Sequence, residues 1–282
     1  MVLESLLNPL NAERKPLFVF LLGMAYGTLG IFLANWIFEE QSSMVMVFLT
    51  TMAALPLMFH LLRFEETKDM EHLDKRSLLR EHAPAIVFYT LLFLGMATAF
   101  TLWYLILPSQ MSTTIFRVQT QTISSLNQHV TGNITQTALL SKTFLNNIKV
   151  LIFCILFSFL YGSGAIFILT WNASVIGAAA GNFIRSHMAP FATAIGLQKA
   201  GAYLYVGSLS ILRYAIHGIP EILAYIVAGI AGGILSMAVV KHDFGTGQFE
   251  RVLLDVSDLV LLSVLILFIA AVMEVFLTPA LF

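Results

Sequence analysis

Apolar segments about as long as a lipid bilayer is thick recur along this chain of 282 residues. A membrane-spanning helix needs about 20 apolar residues. Only 11% of the residues are charged, against about 25% in an average soluble domain, so a soluble fold is excluded. Six segments are long enough to span: Leu17–Phe38, Met44–Leu62, Ala85–Leu107, Ile148–Thr170, Ile222–Val240 and Val256–Leu277.

The segments predict an all-α fold, a polytopic α-helical transmembrane bundle with about six to seven membrane segments and a re-entrant or broken helix. Ala202–Ile216 is a short seventh segment, and the glycine-rich Ser174–Ile184 is the candidate re-entrant half-helix. The predicted organisation has four parts. They are a cytoplasmic or interfacial arm at 1–16, three transmembrane helices at 17–107 with a cytoplasmic loop at 63–84, an extracytoplasmic amphipathic segment at 108–147, and a transmembrane core at 148–282.

Basic residues orient the chain, because lysine and arginine accumulate in cytoplasmic loops. Two precede the first apolar segment and five follow the second, whereas 108–147 holds only Arg117 and Lys142. We therefore predict a multi-pass protein of the cell membrane with a cytoplasmic N-terminus. Ala202–Ile216 and Ile222–Val240 would then form an outward hairpin. That hairpin places the later basic residues inside: Arg185, Lys199, Lys241 and Arg251.

The predicted outer segment 108–147 is rich in Thr, Ser, Gln and Asn, yet apolar residues recur in it at spacings of three and four. That periodicity is typical of amphipathic helices. We expect two such helices with a break near Thr131-Gly132, where the glycine interrupts the pattern.

Residues His217-Gly218-Ile219-Pro220-Glu221 place ionisable groups between two apolar segments. A charge at membrane depth costs roughly 2.5–3.5 kcal/mol on insertion scales, so it persists when it is paired, hydrated or functional. Glycine is frequent just after a helix and proline in the first turn of one. We therefore expect one helix to stop at Gly218 and another to begin at Pro220. The motif then serves either as a functional site or as a capped helical turn.

Arg213 and Glu221 are the only charges in these two apolar segments. A tight turn would place each near the other, and pairing would lower the cost of burying both. We predict an Arg213–Glu221 ion pair that His217 joins by a hydrogen bond. In the alternative, all three lie at the outer interface and Arg213 extends to the lipid headgroups.

Small and amide residues are the other candidate sites. Three pairs of glycines have the four-residue spacing that lets membrane helices approach closely: Gly23 and Gly27, Gly177 and Gly181, Gly229 and Gly233. We expect them to pack helices together, within the chain or in a homodimer. Four asparagines flank apolar segments: Asn146, Asn147, Asn172 and Asn182. We expect the first two to cap a helix end and Asn182 to bridge helices by a hydrogen bond.

Motifs of membrane enzymes are not found in the sequence. There is no H-E-x-x-H zinc motif, Ser163-Gly164 lacks the preceding glycine of a rhomboid-type serine protease, and no phosphate-binding glycine loop occurs. The single Cys154 supports neither a disulfide nor a cysteine metal site, and a net charge of −1 gives no argument for nucleic acid. We expect no enzyme activity and no catalytic, cofactor-binding or metal-binding residues.

From residue 144 to 240 the sequence resembles the stage II sporulation protein M family of multipass membrane proteins. The resembling features are Asn146-Asn147 with Lys149 and the His217–Glu221 motif before a glycine-rich helix. They continue with the following residues: Gly162, Gly164, Asn172, Gly177, Gly229, Gly232 and Gly233. The resemblance implies a membrane protein that anchors partner proteins, such as peptidoglycan-degrading enzymes in spore formers, and is not itself a hydrolase.

We therefore expect an integral membrane scaffold that docks partner proteins through 108–147 and its own helices. Besides the lipid bilayer, a homodimer is the other expected association. The alternative function is a transporter or channel with a pathway near the half-helix 174–184 and the His217–Glu221 turn, because transporter sites are built from broken helices near the bilayer midplane.

Overall fold

The computed structural model describes residues 16–71, 78–130, 135–161, 164–191, 193, 195–240 and 247–281. Within these ranges it is helical and has no strand, which confirms the all-α fold. The predicted arm at 1–16 lies outside the described residues except for Pro16. The helices are α1 (Pro16–Ile37), α2 (Ser42–Glu71), α3 (Leu78–Ile106), α4 (Ser109–Ile115), α5 (Arg117–Val130), α6 (Gln136–Tyr161), α7 (Ala165–His187), α8 (Gly196–Val240), α9 (Gly247–Val272) and α10 (Thr278–Leu281).

Seven stretches of the described helices are long and apolar enough to cross a membrane, which agrees with the predicted bundle. They lie in α1, α2, α3, α6, α7, α8 and in α9 with its continuation to Leu281. Their ranges are Pro16–Ile37, Glu39–Met58, His82–Ile106, Gln136–Leu160, Ala165–His187, Gly196–Val240 and Phe249–Leu281. The chain is therefore a multi-pass membrane protein.

The bundle is built from a series of neighbouring helix pairs. Helix α1 packs against α2 and α3, α3 packs against α7, and α8 packs against α6, α7 and α9. The second half of α8, from Ile222 to Ile234, contributes most of the buried apolar residues of that region. We call the end of the bundle that carries α4 and α5 the outer end, after the sequence prediction.

Helix boundaries differ from the prediction around residue 163. The predicted fourth helix Ile148–Thr170 is interrupted, since α6 ends at Tyr161, Gly164 is in a turn and α7 begins at Ala165. The predicted half-helix Ser174–Ile184 is the second half of α7, a helix of 23 residues. Gly-Ser-Gly at 162–164 has the composition of a turn, and an average over hydropathy does not detect it.

The predicted break at Gly218–Pro220 is wrong. Helix α8 runs without interruption through 45 residues with Pro220 inside it, which makes it about 67 Å long at 1.5 Å per residue. Gly218 is buried and its Cα faces Ile176 of α7. In an apolar environment every unpaired backbone group is costly, so losing the one hydrogen bond that proline cannot donate costs less than a full break.

The predicted outer segment 108–147 contains two short helices and the beginning of α6. Helices α4 and α5 occupy 109–130, and residues 131–134, where the break was expected, lie outside the described residues. Residues 136–147 belong to α6 and so to a membrane-spanning helix.

Gln119 anchors α5 to the membrane helices. Its side chain is fully buried. The Oε1 atom accepts a hydrogen bond from Ser43 Oγ at 2.7 Å, and Nε2 donates to Ser174 Oγ at 3.1 Å and to the Ser43 carbonyl at 3.2 Å. Ile115 and Phe116 are buried nearby. The outer segment is therefore packed on the bundle instead of forming a free ectodomain.

Arg185 lies at the outer end, which corrects its predicted place inside. Its guanidinium donates to Ser112 Oγ of α4 at 2.8 Å and to the Leu107 carbonyl at 3.0 Å. It also donates to the Tyr104 and Leu105 carbonyls and lies 5.0 Å from the centroid of the Tyr104 ring. The last carbonyl groups of α3 have no hydrogen-bond donor within the helix. Arg185, which lies on α7, supplies donors to them and so caps the end of α3. Helix α8 begins beside this end of α7, so Lys199 lies there as well.

Glycines lie where the helices approach most closely. A Cβ at Gly23 would overlap the Leu92 carbonyl, and one at Gly27 would lie 3.1 Å from Ala99 Cβ. At Gly177 and Gly181 it would lie 2.5 Å from Phe100 Cβ and 2.6 Å from the Tyr104 ring. A Cβ at Gly229 would lie 2.7 Å from Ala165 Cβ, and Gly233 is buried. These contacts are intramolecular.

Candidate functional site

Four ionisable or aromatic side chains form a stripe on one face of α8. Arg213, His217, Glu221 and Tyr225 follow one another at intervals of four residues, and residues four apart on a helix are neighbours on its surface. The sequence predicted the first three positions of this stripe. Tyr225, which is fully buried, was not predicted.

A π-helical turn at Met273–Leu277 faces the stripe. His217 Nδ1 and Thr278 Oγ1 are 3.0 Å apart. The Thr278 hydroxyl donates to the Met273 carbonyl at 3.2 Å, so its oxygen accepts from His217, and Nδ1 carries the proton. Such turns are rare and occur frequently at functional sites.

Two carboxyl groups belong to the region beside this contact. Tyr225 donates from its hydroxyl to Glu221 Oε1 at 2.8 Å. The Glu274 carboxyl, in the π-helical turn, lies within electrostatic range of Glu221. We call His217, Glu221, Tyr225, Glu274 and Thr278 the His217 cluster. It lies next to the middle of α7, since Gly218 faces Ile176.

The predicted Arg213–Glu221 ion pair is not formed. The Arg213 guanidinium lies 5.5 Å from the centroid of the Phe183 ring, while Glu221 binds Tyr225. The prediction depended on a turn at Gly218. In the continuous helix, residues 213 and 221 are separated by about 12 Å along the axis.

We expect the Arg213→Ala and Glu221→Ala substitutions to be additive. The losses in free energy of unfolding should sum within about 0.5 kcal/mol, because the two side chains share no partner. Glu221→Ala with Tyr225→Phe should instead show a coupling of about 0.5–3 kcal/mol, as residues in contact do. Unfolding of the purified protein in mild detergent measures both cycles. A double mutant of Arg213 and Glu221 that regains stability would contradict the geometry.

The four asparagines do not share one role. Asn146 and Asn147 lie ten residues or more inside α6, so the capping prediction is wrong; Asn146 is exposed and Asn147 is buried. Asn172 Nδ2 donates to the Ile168 carbonyl of its own helix at 2.8 Å. Asn182 is exposed on α7, and it bridges no helices within the described part of the chain.

A polar face on α6 was not predicted. Lys142, Asn146 and Lys149 are exposed and lie at intervals of four and three residues, so they share one face of this spanning helix. Among the described residues none of the three has a hydrogen-bond or ion-pair partner. We call these residues the α6 polar face. The sequence shows from their spacing that the three residues share a face, but it does not show which face of α6 packs against the bundle and which stays exposed.

Metal-ligating residues do not cluster in the described part of the chain. No group of three or more His, Cys, Asp and Glu side chains there could hold a metal ion. Cys154 is buried within α6.

The comparison with protein families covers nearly the whole chain. The family described as stage II sporulation protein M matches residues 17–279, a wider range than the 144–240 that the motifs indicated. No curated protein and no solved structure matches the chain significantly. The match extends from the first spanning helix through the π-helical turn that completes the His217 cluster, and the chain belongs to the stage II sporulation protein M family.

Proposed function

We propose that this protein is an integral membrane scaffold that binds partner proteins and has no catalytic activity of its own. The observation that carries the proposal is the α6 polar face. Charged side chains exposed to lipid are costly and are usually paired. Two lysines and an amide on one face of a spanning helix therefore suit a partner membrane helix that carries acidic or amide side chains.

The outer segment supplies a second surface for such a partner. Gln119 holds α5 against the bundle, while polar side chains line a shallow cleft of about 400 Å³ on its exposed side: Thr113, Arg117, Thr120, Gln121, Ser124 and Ser125. Because the segment is anchored, a partner that binds here does not have to order it first, which lowers the cost of association.

The distribution of basic residues supports a cytoplasmic N-terminus in the cell membrane. With seven spans, nine lysines and arginines fall on the side of the N-terminus and three at the outer end. Arg213 and the two lysines of the α6 polar face lie within spans. The nine are Arg14, Lys15, Arg63, Lys68, Lys75, Arg76, Arg80, Lys241 and Arg251, and the three are Arg117, Arg185 and Lys199. Such a bias sets membrane orientation.

Site-specific photo-crosslinking in native membranes tests the scaffold. A photoreactive residue at Asn146 should give one protein adduct of defined mass, and Lys149→Leu should remove that adduct while the melting temperature stays unchanged. The matched control is the same probe at Leu156, which is exposed nearer the C-terminal end of α6. This probe should crosslink lipid only. Equal protein adducts at 146 and 156, or none at either position, would refute the docking role of this face. A self-adduct would assign the face to a homodimer.

The second candidate function is a transporter or channel, and the His217 cluster favours it. Acidic and histidine side chains within spans mark ion and proton pathways in membrane proteins. Two cavities lined by described residues, one between α1 and α3 and one on α5, contain neither Asn182 nor Glu221. Proteoliposomes with an internal pH-sensitive dye test this function. A proton flux that Glu221→Gln and Glu274→Gln abolish would support transport, and a flux equal to that of empty vesicles would refute proton transport.

A further inference from the structure

Arg213 carries a charge within a spanning helix, and the described part of the chain offers no anion that neutralises it. No carboxylate among the described residues lies within ion-pair distance of its guanidinium. The Phe183 ring, 5.5 Å away, attracts the cation by its quadrupole but leaves the net charge in place. An anion from outside the described chain would complete this arrangement.

The surroundings of Arg213 are suited to a phosphate group. The His187 imidazole stacks on the same Phe183 ring with a centroid distance of 3.9 Å and an interplanar angle of 24°. His187 Nδ1 lies 2.9 Å from the Phe183 carbonyl, which can only accept, so Nδ1 carries a proton; only a ring that is protonated at Nε2 as well donates to a phosphate oxygen. A guanidinium binds phosphate oxygens with two parallel hydrogen bonds.

The depth of this arrangement agrees with the headgroup region. Ser210 donates to the Ala180 carbonyl and Tyr214 to the Ala179 carbonyl, so Arg213 lies beside residues 179–183 of α7. Helix α7 ends at His187, about 10 Å further along its axis. The long arginine side chain spans much of that distance.

We propose that Arg213, Phe183 and His187 form a binding site for the phosphate group of an anionic lipid at the outer end of α7 and α8. Phosphate chemistry is common to a lipid headgroup and to the free ion. The apolar faces of α7 and α8 on either side suit acyl chains, which the free ion lacks. Exposed apolar residues there include Leu204, Ile211 and Leu212.

Native mass spectrometry of the full chain, delipidated and titrated with phosphatidylglycerol, tests the site. The wild type should retain one tightly bound lipid. Arg213→Gln should weaken that binding about tenfold, which corresponds to the loss of about 1.4 kcal/mol, and Arg213→Lys should retain most of it. The matched control Lys199→Ala removes an exposed cation from the same helix and should leave the affinity unchanged.

Further titrations distinguish the source of the phosphate. Phosphatidylcholine should bind more weakly than phosphatidylglycerol, and inorganic phosphate in millimolar excess should not displace the lipid. Displacement by inorganic phosphate would assign the site to the free anion and overturn the lipid proposal. Equal affinity in the wild type and in folded Arg213→Gln, with folding checked by the melting temperature, would overturn the site itself.

Discussion

Gly95→Ala should destabilise the bundle by about 1–3 kcal/mol, the range for overpacking a close contact. A Cβ at Gly95 would overlap the Phe20 carbonyl of α1 and would lie 3.0 Å from the Met24 nitrogen. Both are backbone atoms, so no side chain can rotate away and the two helices must separate. Separation also loosens the reciprocal contact at Gly23. Thermal and detergent-induced unfolding of the purified protein measure the loss.

Gly201→Ala is the matched control, because it adds the same methyl group to a spanning helix where the space is open. No heavy atom lies within 4 Å of a Cβ built there. Alanine in place of glycine inside a helix stabilises it by roughly 0.5–1 kcal/mol, so this variant should be neutral or slightly more stable. Equal losses in both variants would show that the α1–α3 contact does not limit stability.

The small-residue pattern predicted which helices approach closely, but not all of their partners. The pairs at Gly23 and Gly177 were found from their four-residue spacing, and both pack against α3. Gly95 was overlooked because its counterpart four residues on is Ala99 and not a second glycine. A search that accepts alanine would have found it, since membrane interfaces use any small residue.

Hydropathy predicted the number of spanning helices better than their ends. The length and apolarity of a segment decide whether it crosses the membrane, and seven described helices meet this requirement. The ends of the helices depend on local features, which are lost when hydropathy is averaged along a segment. The interruption between Tyr161 and Ala165 lies in a continuous apolar run, and Pro220 lies inside a helix that packing keeps intact.

Only part of the His217 cluster, the residues on α8, could be predicted from the sequence. The four-residue spacing of Arg213, His217 and Glu221 shows from the sequence alone that they share a face. The partners of His217 and Glu221 are Thr278 and Glu274, which lie directly after and within a π-helical turn more than fifty residues later. No local pattern predicts that pairing, because it depends on how α8 and α9 pack.

Arg185→Ala should destabilise the protein by about 3 kcal/mol. The guanidinium binds carbonyl groups at the end of α3, including those of Tyr104 and Leu107, together with the Ser112 hydroxyl. A hydrogen bond to a charged group contributes about 1.5–3 kcal/mol, and its loss here leaves several acceptors unpaired. Arg185→Lys should recover only part of the loss, since an ammonium cannot reproduce the planar fork of donors.

Arg117→Ala is the control that separates this cap from a general effect of positive charge at the outer end. Arg117 is exposed and donates one hydrogen bond, to the Glu40 carbonyl at 3.1 Å, so its removal should cost less than about 1 kcal/mol. Hydrogen exchange adds a local measurement, because amides in the last turn of α3 and in α4 should lose protection in Arg185→Ala and keep it in Arg117→Ala. Unchanged exchange in both variants would mean that Arg185 does not hold α3, α4 and α7 together.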